Sequence, residues 1–323
     1  IGGADFSSNT GMSVASGVDP KGTHGHSLVQ AFMALGAGEL EAFRAFAATY
    51  PDDCILLVDT IDTLDIGLPN AITVFNELRA DGHEPVGIRL DSGDLAYLSI
   101  RAAQLLDEAG FPDVQIVLSS NLDELAIWQI TSQIQEEAPR YGVDADALLG
   151  RLTYGVGTRL ISSRGHAALD GVYKLVAIEG DEGWIPAIKV SDTPGKIPTP
   201  GRKQVWRITD RRGYATADVI ATENEEPPGD ATLVMHHPVR DGVQRTLAPG
   251  EIASAEQLVQ PVFRGSRESH EDLETIRGRV AADIQMLDPG VRRLINPHLY
   301  HVSLTDEMKK LQLRLIAEAK EAG

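Results

Sequence analysis

Four short strings hold the residues able to do chemistry. GTHGHS, Gly22 to Ser27, sets two histidines two residues apart behind a Gly-Thr pair. A zinc site wants a third ligand, and no partner cluster stands out among the other histidines. A structural imidazole hydrogen-bonded in a turn needs nothing more. A phosphate-accepting or nucleophilic histidine needs a carboxylate to hold its tautomer, and DTIDT, Asp59 to Thr63, supplies two. Asp59 is the first polar residue after ILLV, placed to orient an imidazole or to hold a ribose hydroxyl or a metal. Asp62 serves equally well as the cap of the next segment.

In RLDSGD, Arg89 to Asp94, side chains two apart on a strand share a face, so Arg89 and Asp91 point the same way. Ser92 and Gly93 then open a helix whose free N–H groups attract an anion. The same letters also describe an Arg89–Asp91 ion pair followed by Asp94 as an N-cap. In YGVGT, Gly155 and Gly157 allow a phosphate close to the backbone and Thr158 adds a hydroxyl, although a tight turn uses the same residues. An imidazole, carboxylates, an arginine and a glycine loop together suit a phosphorylated sugar.

These strings need a common edge. From Cys54 to about Leu160 short apolar runs alternate with amphipathic stretches, the pattern of βα units around a parallel sheet. CILLVD leads into TIDT, PVGIRL into DSGD, VQIVL into SSN, and RLTYGV into GTR, so every polar cluster falls at the carboxyl end of a strand, where parallel α/β proteins keep their sites. Spacings of three and four predict helices over Pro69 to Ala80, Asp94 to Ala109 and Asn121 to Glu137, with Ser120 or Asn121 as an N-cap and Gly82 and Gly110 just past two helix ends. Barrel and open sheet fit this pattern equally.

After Gly165 the texture changes to short β-like segments, GVYKLVAIE, WIPAIKVS, KQVWRITD and YATADVIAT, which suggest an antiparallel element. Helices are expected over Ser269 to Met286 and Thr305 to Ala322, with NPHLYHVSLT as the joining segment and ENEEPPGD as a solvated loop. The expected division is 1–165 for the α/β catalytic region, 166–265 for the short strands, and 266–323 for the C-terminal helices.

The whole chain sets limits. At 323 residues it can bury a core larger than one domain usually holds, and its 42% hydrophobic content with interspersed charge is that of a globular protein. A formal charge of −18 argues against nucleic acid or an anionic membrane as a broad partner, since both need a basic face. A small phosphate ligand needs only a local cluster of N–H groups and a cation or two. The lone Cys54, in the apolar run DDCILLVD, excludes a disulfide framework and reads as a core residue. No apolar run reaches the roughly 18 to 20 residues of a membrane span, and a reducing cytoplasm is the expected location.

The strings themselves resemble the nicotinate phosphoribosyltransferase family. The resemblance runs in order through GGADFSSN, GTHGHSLVQAF, DTIDTL with NAI, GIRLDSGDLAYLS, YGVGTRLISS, GVYKLV, KVS with KIPTPGRKQVWR, MHHP and NPHLYHVSL. It implies an α/β fold, an incomplete (β/α) barrel-like type II phosphoribosyltransferase domain with a smaller β-rich domain, working as a homodimer. It implies nicotinate and phosphoribosyl pyrophosphate as substrates, Mg²⁺ as cofactor, and ATP as co-substrate through a transient phosphohistidine in an ATP-dependent, ligase-type reaction of NAD biosynthesis. Matched block by block, the phosphorylated histidine falls on His26, with His24 at a variable position. The nicotinate contacts fall on Thr23 and Arg89, and the phosphoribosyl contacts on Thr158, Gly155 and Gly157. Asp59 and Asp91 are added as carboxylates facing the ribose, and Ser92 and Gly93 as substrate contacts.

The chain opens at IGGADF, without the sequence that precedes GG-x-D-x-x-SN in the family and supplies much of the small domain and an aromatic residue of the pyridine pocket. The expectation is a missing N-terminal segment or chain, with catalysis by these 323 residues alone impaired or absent. Nicotinamide or quinolinate phosphoribosyl transfer, or a non-catalytic dimerisation fragment, are the alternatives.

Overall fold

The computed structural model describes residues 5–160, 173–190, 194–229, 231–261 and 271–321. The chain forms two compact units, Ile1–Pro198 with Ile316–Gly323, and Thr199–Leu315. Both boundaries expected from sequence, at 165/166 and 265/266, lie outside the described residues.

In the first unit three helices, α1 (Thr10–Ser16), α2 (His26–Ala34) and α3 (Gly38–Thr49), precede the first strand, β1 (Ile55–Leu57). Then follow α4 (Leu68–Ala80), β2 (Gly87–Leu90), α5 (Leu95–Glu108), β3 (Gln115–Leu118), α6 (Glu124–Glu137), α7 (Ala145–Gly150) and β4 (Leu152–Tyr154). The four strands form one parallel sheet in chain order, β1-β2-β3-β4, so the α/β pattern read from the apolar runs is present. The described residues show this mixed α/β architecture without a closed barrel. A hairpin, β5 (Ala177–Gly180) with β6 (Gly183–Pro186), stands as a separate two-stranded sheet.

The parallel strands are short and bury one apolar face, on which Leu56, Ile88, Leu90, Ile116 and Leu118 are fully buried, together with Phe43, Phe75 and Phe111 from the helices and turns around them. Cys54 belongs to this core, and burial pushes its thiol up to about 12, far from a nucleophile's range. Gly82 and Gly110 take the left-handed conformation expected after α4 and α5, with φ of 88° and 84°.

Some local expectations are corrected. The α6 cap is Asp123, whose carboxylate accepts from Ala126 N, while Ser120 and Asn121 instead carry positive φ values of 91° and 53°. Helix α5 does not open at Ser92 and Gly93. Asp94 caps it and accepts from Tyr97 N, so a carboxylate of the chain already occupies that helix end. Helices α1, α2 and α3 were not anticipated, although LVQAFMA and LEAFRAFA carry the apolar spacing of helices.

The second unit is a six-stranded sheet of order β10-β9-β12-β8-β7-β11, made by β7 (Lys203–Asp210), β8 (Ala215–Thr222), β9 (Leu233–His236), β10 (Gln244–Leu247), β11 (Ile252–Gln257) and β12 (His301–Leu304). Alternate residues Ala215, Ala217, Val219 and Ala221 of β8 are buried, the period of a strand with one packed face. Helix α8 (Leu273–Met286) precedes β12, and α9 (Asp306–Glu321) follows it. NPHLYHVSLT, expected as a connector, holds a central strand: β12 pairs in parallel with β8 and touches antiparallel β9.

Candidate functional site

The parallel register lines up Leu57, Arg89, Val117 and Thr153 across the sheet, so the residues just after these positions share one edge. There β1 delivers Asp59, β2 delivers Arg89, Asp91 and Ser92, and β3 delivers Ser119. The loop after β1 is held close by a π-helical turn, Thr63–Gly67, that Asp62 caps by accepting from Leu64 N and Asp65 N. A Cβ on Gly67 would lie 1.9 Å from the Val58 carbonyl oxygen, so only glycine lets the turn pack on the residue before Asp59.

Arg89 is the hub on the outer side. Its Nε donates to Ser119 Oγ at 2.9 Å, Nη1 to Thr23 Oγ1 at 3.0 Å and Nη2 to Asp91 Oδ1 at 3.1 Å. Ser119 in turn donates to the same Asp91 oxygen at 2.6 Å. The guanidinium is thus held by three side chains, while the Arg89 side chain as a whole stays 28% exposed. The ion pair of Arg89 with Asp91 is real, and it sits inside a larger network that the spacing alone did not reveal.

Asp59 is the hub on the inner side. Its Oδ2 accepts from Ser92 Oγ in a short hydrogen bond and from Asp91 N at 3.2 Å. Its Oδ1 lies 3.1 Å from His26 Nε2, an ion-pair contact off hydrogen-bond alignment, and both atoms are buried without another partner among the described residues. Burial alone would push the Asp59 carboxyl up. The close polar contact and charge of His26, the hydrogen bond from the Ser92 hydroxyl and the Lys189 ammonium outweigh it and hold the group below the usual carboxylate range. His26 is the first residue of α2, capped by Gly25, so the helix start fixes where its ring leaves the backbone.

The two histidines of GTHGHS separate clearly. The His24 ring packs on Phe46 at 4.9 Å and Phe43 at 5.7 Å, and its Nε2 accepts the backbone N–H of Leu57 at 3.0 Å. The proton therefore sits on Nδ1, which faces the Gly25 carbonyl at 3.4 Å. Burial, with smaller contributions from the charges of His26 and Arg89, lowers its pKa to about 4, against the opposing pull of the Gly25 carbonyl. His24 ties the approach to α2 onto β1.

Sequence reading missed Lys189. It lies in coil after β6, 3% exposed, and Asp59 and Asp91 are the negative charges acting on it. Burial lowers its pKa most, Lys174 and Lys196 lower it further, and the two aspartates raise it. Lys196 Nζ also donates to Ser120 Oγ at 3.3 Å, at the strained residue after β3. Gly155, Gly157 and Thr158 are exposed on the segment after β4, with Gly155 N donating to the Leu118 carbonyl at 2.7 Å. Gly93 adopts φ of 79° between Ser92 and the α5 cap. Among the described residues no three His, Cys, Asp or Glu side chains converge as a metal site, and no helix is long and apolar enough to cross a membrane.

Residues 202–312 match the model of the nicotinate phosphoribosyltransferase C-terminal domain. The nicotinate phosphoribosyltransferase of Bacillus subtilis is 36% identical over 323 residues, covering 99% of this chain and 61% of that protein. Nicotinate phosphoribosyltransferase 1 of Arabidopsis thaliana is 28% identical over 364 residues, covering 95% of this chain and 61% of that protein. The crystal structure of human nicotinic acid phosphoribosyltransferase aligns at 24% identity with a TM-score of 0.36, over 97% of this chain and 65% of that one. The chain thus spans about three-fifths of the length of the two sequence relatives, at 61% of each.

Proposed function

We propose that this chain, a member of the nicotinate phosphoribosyltransferase family, carries the site that joins nicotinate to phosphoribosyl pyrophosphate, coupled to ATP hydrolysis through phosphorylation of His26. The observation that carries the proposal is the meeting of a buried His26–Asp59 pair with an aimed guanidinium, Arg89, at one edge of a parallel sheet. Similarity along 99% of the chain to a nicotinate phosphoribosyltransferase supports it.

Arg89 would take the nicotinate carboxylate in a planar pair of hydrogen bonds, with Thr23 and Ser119 aiming the fork. The pyridine nitrogen then attacks the anomeric carbon. A C–N bond forms, the C–O bond to pyrophosphate breaks, and pyrophosphate leaves with the electron pair. Asp59 and Asp91 would stabilise the positive charge that develops on the sugar, and Lys189, with Lys174 and Lys196 in its field, would offset the charge of the pyrophosphate. Gly155, Gly157 and Thr158 would cradle the 5′-phosphate, with Ser92 and Gly93 lining the ribose side. Mg²⁺ would enter on the substrate's phosphates with Asp91 as its protein carboxylate, easing departure of the leaving group.

For the ATP step the geometry supports a particular atom. Nε2 of His26 faces Asp59, which holds the N–H there and leaves the lone pair on Nδ1 to attack the terminal phosphorus of ATP. ADP leaves, and water later takes the phosphoryl group from histidine. A barrel-like closure of the catalytic unit, a homodimer and a cytoplasmic location complete the proposal. The in-order strand arrangement β1-β2-β3-β4 supports the first, since each βα step winds in one direction as in a barrel.

The test is pyrophosphate release with each pyridine in turn. Nicotinate should be turned over in preference to nicotinamide and quinolinate, and terminally labelled ATP should label the protein unless His26 is changed to Ala. Preference for nicotinamide would overturn the role of Arg89, and label retained in His26→Ala would overturn that of His26.

A further inference from the structure

The reaction proposed above gives no task to NPHLYHVSL, one of the strings that carry the family resemblance. In the structure His298, Leu299, Tyr300 and His301 of this string line an open cavity of about 500 Å³. The cavity is built entirely from residues of the six-stranded unit and shares none with the His26 site. Its walls are tied down. Gly290 N donates to Asp288 Oδ1 at 2.8 Å and His298 N to the Gly290 carbonyl at 2.9 Å, which folds the segment before β12 back on itself. The Tyr300 hydroxyl donates to Asp218 Oδ1 at 2.9 Å and fixes its ring in the wall.

Two arginines and two aspartates line the cavity, so their charges cancel, in a chain of net charge −18. They are unevenly paired. Arg212, in the turn between β7 and β8, places Nη2 2.8 Å from both Asp210 Oδ2 and Asp288 Oδ2 and so engages both acids. Arg245 of β10 is half-buried and has no carboxylate partner among the described residues. Its Nη1 donates to the Thr216 carbonyl of β8 at 3.1 Å and its Nη2 to Thr216 Oγ1 at 2.9 Å. That uses two of the five N–H groups of a guanidinium. His301 stands close enough for this cation to act on it: burial first, then the charges of Arg245 and His237, lower its pKa.

A half-buried cation with unspent donors and no counter-charge is a place for an anion. Three N–H groups and a neighbouring imidazole exceed what the two oxygens of a carboxylate need, and they match the three oxygens of a phosphate monoester. A phosphate alone would leave most of the volume empty, since small-molecule sites run from roughly 300 to 1,000 Å³. Much of the remaining lining is aromatic or apolar. The Tyr214 ring, with the Arg212 guanidinium 5.4 Å from its centroid, and the Val291 and Leu299 side chains offer surface on which a flat base can lie.

We propose that this cavity is a mononucleotide site, in which Arg245 and His301 take the phosphate of a nucleoside monophosphate and Tyr214 and Leu299 take its base. The inference does not depend on the reaction proposed for the other unit.

The probe is adenosine 5′-monophosphate, titrated calorimetrically into the whole chain, with adenosine and inorganic phosphate in parallel. The monophosphate should bind at least about tenfold more tightly than either part. Arg245→Gln should weaken it by roughly 10- to 100-fold, and Leu299→Asp by about threefold or more. Leu299 is 82% exposed, so its replacement spares the fold, and Leu294→Asp, at a fully exposed position outside the cavity, should change nothing. His26→Ala and Arg89→Lys locate the binding, because both should retain it. Binding lost in those two and kept in Arg245→Gln would overturn the proposal, as would absent binding or equal affinity for inorganic phosphate. In the wild-type protein the His301 ring signals, assigned by NMR with His301→Gln, should move as the monophosphate is added, and signals unmoved at saturation overturn the proposal whether or not Arg245→Gln folds. Nucleotide binding at this cavity without any turnover of nicotinate would overturn the proposed reaction and leave this site standing.

Discussion

Arg89 is held by Ser119, Thr23 and Asp91 at once, so its orientation, beyond its charge, is the property the site invests in. Lysine keeps the charge but has no planar fork. Arg89→Lys should therefore raise KM for nicotinate by roughly 10- to 100-fold, with a smaller effect on kcat, in a steady-state assay. Ser119→Ala should give a milder rise of the same kind, and an unchanged KM in both would place the carboxylate elsewhere. His26 offers a second check at this scale: phosphorus NMR of the labelled, denatured protein should show the Nδ1 isomer of phosphohistidine, since Nε2 is turned to Asp59. Residue types and short spacings made Arg89, Asp91 and Asp59 legible, because strand-end polar residues share an edge. They could not separate His24 from His26, which differ only in what surrounds them: Phe43, Phe46 and the Leu57 N–H for one, Asp59 for the other. Lys189 was illegible for another reason. Its charge acts on Asp59 from a coil far along the chain, where no periodicity marks it.

Among the elements, the π-helical turn after β1 is the most tightly constrained. Gly67→Ala would drive a methyl into the Val58 carbonyl, 1.9 Å from the required position, and backbone cannot yield as a flexible side chain can. The variant should lose more than about 2 kcal/mol in urea unfolding and, because Val58 precedes Asp59, lose ATP labelling even where it remains folded. Asp94→Ala, which removes the α5 cap, should cost only about 1 kcal/mol. Helices with clear apolar spacing and a glycine stop, α4 and α5, were readable almost to their ends. The α6 start was not, since three polar residues compete there and only Asp123 meets the N–H groups. Strand β12 was hidden because a four-residue strand pairing with segments far back in the chain leaves little local signal.

At the scale of the whole molecule, two buried groups oppose each other in pH dependence. His24 has its pKa lowered from 6.5 to about 4, so the unfolded chain binds the extra proton between those values and stability rises with pH across that window. Glu39 has its pKa raised from 4.5 to about 7, so the native state holds the extra proton there and stability falls as pH rises. Each is worth up to about 3 kcal/mol, and from pH 4.5 to 6.5 they nearly cancel. Urea midpoints should therefore change little from these two across that range in the wild-type protein, rise with pH in Glu39→Gln, and fall with pH in His24→Gln. The strand order has a consequence in time as well as space. His26 meets Asp59 and Asp59 meets Ser92 across 33 residues each, and Arg89 meets Ser119 across 30. Each link closes over about one βα unit, so a chain emerging from the ribosome at about 5 to 20 residues per second can make each before the next strand is synthesised. Most of the site is thus assembled in the order in which it is translated, and the longer links are those of Thr23, which meets Arg89 across 66 residues, and of Lys189.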